Sequence, residues 1–374
     1  MLPLLLFALM LAPAGMLQAQ AANQPKTATQ AQTANQGGAG NLNLYWIDVE
    51  GGASTLVVSP SGESLLIDTG WAVGDRDAKR IYAMAQHAGL KKIDFLVLSH
   101  FHADHAGGLA ALSKMIPIGR FFDRGDVIER ENQQWLDSYR AASAGKRTIV
   151  KPGDTIPIQG LQVVVVSSNQ ELIANPINGG GPNSLCADAE QKASAGPENA
   201  RGVGLLLTYG KFKYLNLIDL DWQKEMELAC PVNKLGKVTL YQTGRHGSFD
   251  GAGAPALLGA IQPQVVVVNN GPRKGMGQVD KTIQSNNPPG KAVAPYEKNA
   301  YLRLAGLPGI EGIWQGHLSL LDPDPNHNTS PDMIANLEET AECKGNWIQA
   351  AVARDGKFTM TNGRNGFSKT YTAR

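Results

Sequence analysis

Cysteine is scarce in this chain of 374 residues: Cys186, Cys230 and Cys343 are the whole complement, and they stand far apart. That spacing excludes a zinc finger and a CxxC redox site, whose ligands recur at short intervals. In an exported chain it leaves one disulfide and one free thiol, with the pairing open. An excess of charge is missing too. The 34 Lys and Arg against 33 Asp and Glu give a formal +1, so no global field draws the chain to nucleic acid or to an anionic membrane surface, and any polyanion must be gripped locally. Long apolar runs are absent after the first residues. MLPLLLFALMLAPAGMLQAQAA holds a short apolar run followed by Ala19-Gln20-Ala21, small residues that fit a signal-peptidase site. The run is too short for an ordinary membrane helix, so residues 1–21 read as a signal peptide and the chain as exported, periplasmic or secreted. No Lys or Arg precedes the run, which leaves a retained N-terminal anchor as the alternative. No stable membrane span is expected once the signal is removed, and no feature names a protein partner.

With 43% hydrophobic and 18% charged residues, the chain as a whole has an ordinary globular composition. Residues 22–41, rich in Gln, Ala, Thr, Asn and Gly, bury too little to offset their ordering entropy and read as a flexible leader. Asn43–Val49, Ser54–Val58 and Ser64–Ile67 are β-favouring runs broken by Gly and Pro turns, an antiparallel meander. A helix over 77–88 leads to a buried strand, Phe95–Leu98; Leu109–Met115 is helical, Ile118–Phe122 a strand, and 126–144 a longer helix. The theme repeats with strands at 161–166, 203–209, 212–218, 238–241 and 265–268 and helices at 222–228 and 254–260. Such a mixture predicts two sheets face to face with helices outside. A polar, Gly- and Pro-rich insertion occupies 168–201, and Asp355-Gly356 marks a hairpin between 347–353 and 357–361.

Against this background one stretch is crowded. LVLSHFHADHAGG, Leu96–Gly108, carries His100, His102 and His105 of only seven histidines, with Asp104 beside the last. At the end of a strand the chain leaves regular structure, so closely spaced side chains converge on one point; imidazole and carboxylate are what zinc and similar divalent ions bind. With IDVEGGASTLVVSPSGESLLIDTG before it and LIDLDW and TGRHGS after it, the chain resembles the metallo-β-lactamase superfamily from about Leu42 to about Gly271. Within it, the chain is most similar to the hydrolase domain attached to ComEC-type DNA-uptake channel proteins.

The resemblance implies an α+β, four-layer αββα sandwich: a hydrolase domain over 42–318, interrupted by the insertion, and a C-terminal extension with a β-hairpin over 319–374. It implies that His100 and His102 are ligands of a first metal position, Asp104 and His105 of a second, that Asp219 bridges both and that His246 completes the second. Asp68 is implied to hold a ligand histidine by its other nitrogen. Departures are equally informative. A third histidine would be expected after the 161–166 strand, where Ser167, Ser168 and Asn169 stand, and Arg245 replaces the first His of a His-His-Gly-Ser. His317 is the distant candidate to complete the first position. One or two divalent ions, zinc or else manganese, would make hydroxide available at neutral pH, oriented by Asp104 and Asp219 as catalytic carboxylates. Arg245, Arg273 and Lys274 are candidate contacts to the substrate, favoured as a phosphodiester in a small molecule or nucleic acid. A carboxylic ester, lactone, thioester or β-lactam is the second reading, and a catalytically impaired metal-binding domain the third.

Overall fold

The computed structural model describes residues 40–192, 194, 196–249, 251–277, 299–322, 324–339 and 343–374. The expected signal segment and all but the end of the leader lie outside the described residues.

The meander forms as expected. β1 (Leu42–Trp46), β2 (Thr55–Val58) and β3 (Ser64–Ile67) pair antiparallel, in a register fixed by the Gly and Pro turns between them. The chain then alternates: α1 (Arg76–His87), β4 (Ile93–Val97), α2 (Ala103–Ala106), α3 (Leu109–Met115), β5 (Ile118–Asp123), α4 (Gln133–Ser143) and β6 (Arg147–Ile149). Here β3 to β6 run parallel, as helical crossovers require. The helix expected over 126–144 starts later. Arg130–Asn132 is a 3₁₀ turn and the α-helix opens at Gln133, because Glu129 is extended (φ −88°, ψ 114°) and its carboxylate is engaged with His102 and with the backbone of Glu198.

The second sheet takes β7 (Gln162–Ser168), β8 (Glu171–Leu172), β9 (Gly204–Tyr209), β10 (Phe212–Asn216), β11 (Leu240–Gln242), β12 (Val265–Val268), β13 (Gly312–His317) and β14 (Ile334–Asn336). Helices α5 (Trp222–Ala229), α6 (Pro255–Ile261) and α7 (Ala300–Ala305) accompany it. Its order is β14-β13-β12-β11-β10-β9-β7-β8. The chain then returns to the first sheet. β15 (Ile348–Val352) lies antiparallel to β1, and β16 (Lys357–Asn362) and β17 (Ser368–Thr372) extend that sheet to nine strands. β17 was not legible in the sequence, because SKTYT buries a single side chain, Tyr371.

Three apolar clusters separate four layers. Leu42, Leu44 and Trp46 of one sheet meet Leu205, Leu207 and Val265 of the other. Ile81, Leu109 and Tyr139 cover the first sheet from outside, and Trp222, Leu257 and Leu304 cover the second. The four valines of β12 are fully buried, as a strand with neighbours on both sides and a layer on each face must be. This is the αββα sandwich of the metallo-β-lactamase fold. Cys186, inside the insertion, forms a disulfide with Cys230 at the end of α5, and Cys343 is free. No helix of the described residues is long and apolar enough to cross a membrane.

Candidate metal centre

The His motif leaves β4 at the edge where β10, β11 and β12 also end, so Asp219, His246 and Asn269 arrive from the opposite sheet. Gly108 makes the close approach possible: a Cβ there would stand 2.1 Å from the Thr69 carbonyl. Gly275 does the same behind His246, whose carbonyl would lie 2.0 Å from an added Cβ. Strain collects here as well. Asp68, Ile218, Arg245 and His246 all have positive φ (62°, 53°, 48° and 58°), and for a β-branched residue such as Ile218 that costs roughly 1–3 kcal/mol.

Asp104, His105, Asp219 and His246, all buried, bring one ligand atom each within 4.8 Å of one another. His105 Nε2 lies 3.5 Å from both Asp104 Oδ2 and Asp219 Oδ2; His246 Nε2 lies 3.0 Å and 3.4 Å from the same atoms. Neither imidazole nitrogen has a hydrogen-bond partner. Two buried imidazole nitrogens facing two carboxylate oxygens form a cage for a divalent cation, which would take the place of a proton held between them, and the residues present fit one.

The imidazoles are held by their other nitrogens. Asp68 Oδ2 accepts His105 Nδ1–H at 2.7 Å and the Ser99 hydroxyl at 2.7 Å, while its Oδ1 accepts the Ser99 N–H at 2.8 Å. Ser99 Oγ, its own proton committed to Asp68, accepts from His100 Nδ1 at 3.0 Å. Asp68 thus orients His105 directly and His100 through one hydroxyl. Asn269, just after β12, stands 3.0 Å from His246 Nδ1. Burial alone would raise the Asp104 and Asp219 carboxyls, but His105 for the first and His246 and His105 for the second hold them well below the usual range. Burial would lower the His105 imidazole, yet Asp104, Asp219 and Asp68 push it well above its ordinary value. Burial, then His105 and His102, keep the His100 imidazole far down, so it stays neutral.

His100 Nε2 and His102 Nδ1 face each other at 3.0 Å, and His102 Nε2 lies 3.2 Å from Glu129 Oε2. No third imidazole joins them among the described residues. Ser167 and Ser168 turn their hydroxyls onto the carbonyls of Gly202 and Val150, and Asn169 accepts from Arg201. His317 does not complete the pair either: its Nε2 is bound to Asp48 Oδ1 at 2.7 Å, and Asp48 also takes Arg80 at 2.9 Å. His87 is exposed, and His327 pairs with Asp322.

The three candidate substrate contacts part company. Lys274 Nζ bonds Asp104 Oδ2 and lies 4.4 Å over the Trp71 ring, at the rim of the cluster. Arg245 is half-buried, with Nη1 sealed from solvent and without a hydrogen-bond partner. Arg273 points away, exposed and paired with Glu339 at 2.7 Å. Glu129, Glu198, Asn269 and Trp71 carry no local motif and were missed by reading the sequence; Trp71, directly after Ile-Asp-Thr-Gly, had the best signal.

Beneath the His246 turn, Glu225 is fully buried, accepts Ala254 N–H at 2.8 Å, and is pushed up to about 7, chiefly by burial. In the unfolded chain it ionises near its ordinary value, so the native state loses stability as pH rises from about 4.5 to about 7. Glu225→Gln should therefore gain on the parent between pH 5 and pH 8, by about 3 kcal/mol at most. Urea unfolding at both pH values measures it, and a pH-independent difference would refute it.

Residues 47–186 match the family described as the metallo-β-lactamase superfamily. Two curated proteins are similar: Recombination protein 2 of Haemophilus influenzae, 26% identical over 227 residues, and ComE operon protein 3 of Bacillus subtilis, 24% identical over 240. Each match takes in 60% of this chain but only 24% and 28% of those proteins, so the chain spans about a quarter of the length of its curated relatives. Among solved structures, the metallo-β-lactamase fold protein YhfI of Bacillus subtilis aligns at 13% identity and a TM-score of 0.39, over 62% of this chain and 87% of that one.

Proposed function

From a chain that carries a metallo-β-lactamase domain, we propose an exported metal-dependent hydrolase whose substrate is a phosphodiester, with nucleic acid as the favoured source. The metal-dependent part is carried by one observation, the facing of two unpartnered imidazole nitrogens and two carboxylate oxygens in a buried cage. Asp104, His105, Asp219 and His246 would hold one ion, zinc or manganese, and His100 and His102, with Asp219, a weaker second. When bound, such an ion supplies a water acidified toward neutrality and a Lewis acid for the oxygen under attack.

The chain's own residues do the rest. Asp68 and Ser99 keep His105 and His100 in the tautomer whose Nε2 lone pair points inward. Asp104 and Asp219, held ionised, accept hydrogen bonds from the attacking water and fix its direction. The phosphodiester is favoured by the Lys274 ammonium at the rim of the cage and by Arg245, the chain neighbour of His246, the two cationic groups we assign to the non-bridging phosphoryl oxygens. Likeness to proteins named for recombination and for the ComE operon agrees with a nucleic acid as substrate. Export is supported by the Cys186–Cys230 disulfide, which persists in oxidising compartments.

Metal-loaded protein should hydrolyse bis-p-nitrophenyl phosphate with a higher kcat/KM than a lactone or nitrocefin. Arg245→Ala should raise KM for the phosphodiester about tenfold, the worth of one charged hydrogen bond. Faster turnover of the lactone or nitrocefin would move the protein to the ester and lactam chemistries. No turnover of any of the three by metal-replete protein would leave a metal-binding domain.

A further inference from the structure

We infer that the first metal position is built jointly by the His100-Phe101-His102 tripeptide and the end of the 168–201 insertion, with Glu129 and Glu198 as its positioning residues. The inference rests on the metallo-hydrolase reading above and goes beyond it by assigning the parts that make up for the missing third histidine.

His102 can serve as a ligand through Nδ1 only if its proton is kept on Nε2. Glu129 Oε2, 3.2 Å from that nitrogen, is the acceptor that keeps it there. With His100 Nδ1–H given to Ser99, both nitrogens that face each other at 3.0 Å carry lone pairs, an arrangement that repels unless a cation sits at their convergence. Glu129 is itself fixed from two sides. Asn132 Nδ2 donates to its Oε2 at 2.9 Å, and the backbone N–H of Glu198 donates to its Oε1 at 3.1 Å.

Glu198 is the second clamp. Its wholly buried carboxylate accepts the backbone N–H of Phe101, between the two histidines, at 2.9 Å, and pairs with the equally buried Arg124. Arg124 lies 5.5 Å over the Phe101 ring and donates to the Asp126 carbonyl at 2.7 Å. The last turn of the insertion thus grips the tripeptide at its backbone and, through Arg124 and Glu129, at its aromatic ring and its second imidazole. A buried ion pair contributes little net stability compared with an apolar pair of the same volume. Its place against this tripeptide, with Glu198 Oε2 and Arg124 Nε left unpartnered, is accounted for by positioning. The first position should therefore fill only while the insertion is docked, whereas the second, whose ligands are held by Asp68 and Asn269, should fill independently of it.

Cobalt titration of the metal-free full chain, followed by absorption, tests this together with ¹⁵N NMR of the His102 ring before metal is added. The parent should show a tighter and a weaker step and an Nε2–H tautomer at His102. Glu129→Ala should weaken the weaker step about 10–100-fold, the usual cost of losing such a partner, and mix the tautomers, with the tighter step unchanged. Glu129→Gln, which keeps an acceptor, should restore both readouts, and Glu198→Gln should weaken the same step wherever it folds. Glu129 is part-exposed, so its variants decide the matter whatever becomes of Glu198. An unchanged weaker step with an unchanged tautomer in Glu129→Ala overturns the inference, and so does equal weakening of both steps. A parent that binds no cobalt overturns the metallo-hydrolase reading itself, and this inference with it.

Discussion

Alanine at both His105 and His246 should strip the protein of metal. These residues supply the two unpartnered Nε2 atoms of the cage, and without them Asp104 and Asp219 face each other across a buried space with no neutral donor. Two carboxylates alone do not hold zinc against dialysis when a structural site ordinarily takes four ligands and a catalytic one three plus water. The remaining histidines, His100 and His102, lack a third imidazole among the described residues. Elemental analysis after zinc or manganese loading and dialysis should give metal in the parent and only background in the double variant, with circular dichroism confirming that the variant is folded. Undiminished metal per chain would place the site elsewhere.

Asp68→Asn is expected to be nearly as damaging while changing the volume hardly at all. Asp68 is fully buried and accepts three hydrogen bonds, two from Ser99 and one from His105. An amide can accept at one end only. Its NH₂ must then face either the Ser99 backbone N–H, donor against donor, or the Ser99 hydroxyl and His105 Nδ1 together, and the second choice moves the imidazole proton to Nε2, toward Asp104 and Asp219. The inward lone pair is lost, and a metal affinity 10–100-fold lower is the expected size of the effect. Competition against a chromophoric chelator measures the affinity, and ¹⁵N shifts of His105 report the tautomer. An unchanged tautomer with unchanged affinity would reduce Asp68 to a turn residue.

Much of this centre is legible in the sequence. The His-x-His-x-Asp-His spacing after an apolar strand, with two glycines behind it, specifies converging ligands and a close-packed turn, and both are local properties of the chain. The valine run of β12 and the Gly- and Pro-bounded strands of the meander are read in the same way, since covalent geometry decides which face each residue presents. Asp219 and His246 were nominated through resemblance to a family. Their own neighbours in sequence do not distinguish Asp219 from Asp221, which in the structure caps α5 instead.

What only the tertiary structure decided is which distant residues become neighbours. Arg273 and Lys274 are adjacent and alike in charge, yet one pairs with Glu339 at the surface and the other reaches Asp104, because Pro272-Arg273 is a turn closed by the Gly271–Lys274 bridge, with Arg273 at its tip and Lys274 at its base. His317 could have served as a ligand; Asp48, 269 positions away, claims it. Glu129 and Glu198 belong to no motif, and they matter because a strand end, a helix entry and the close of a long insertion meet at one point. The disulfide partner of Cys186 and the seat of β15 beside β1 were undecided for the same reason. Periodicity and spacing carry short-range information, whereas a hydrogen bond or ion pair between residues far apart in the chain exists only after the two sheets have packed and excluded the water that would otherwise satisfy each group.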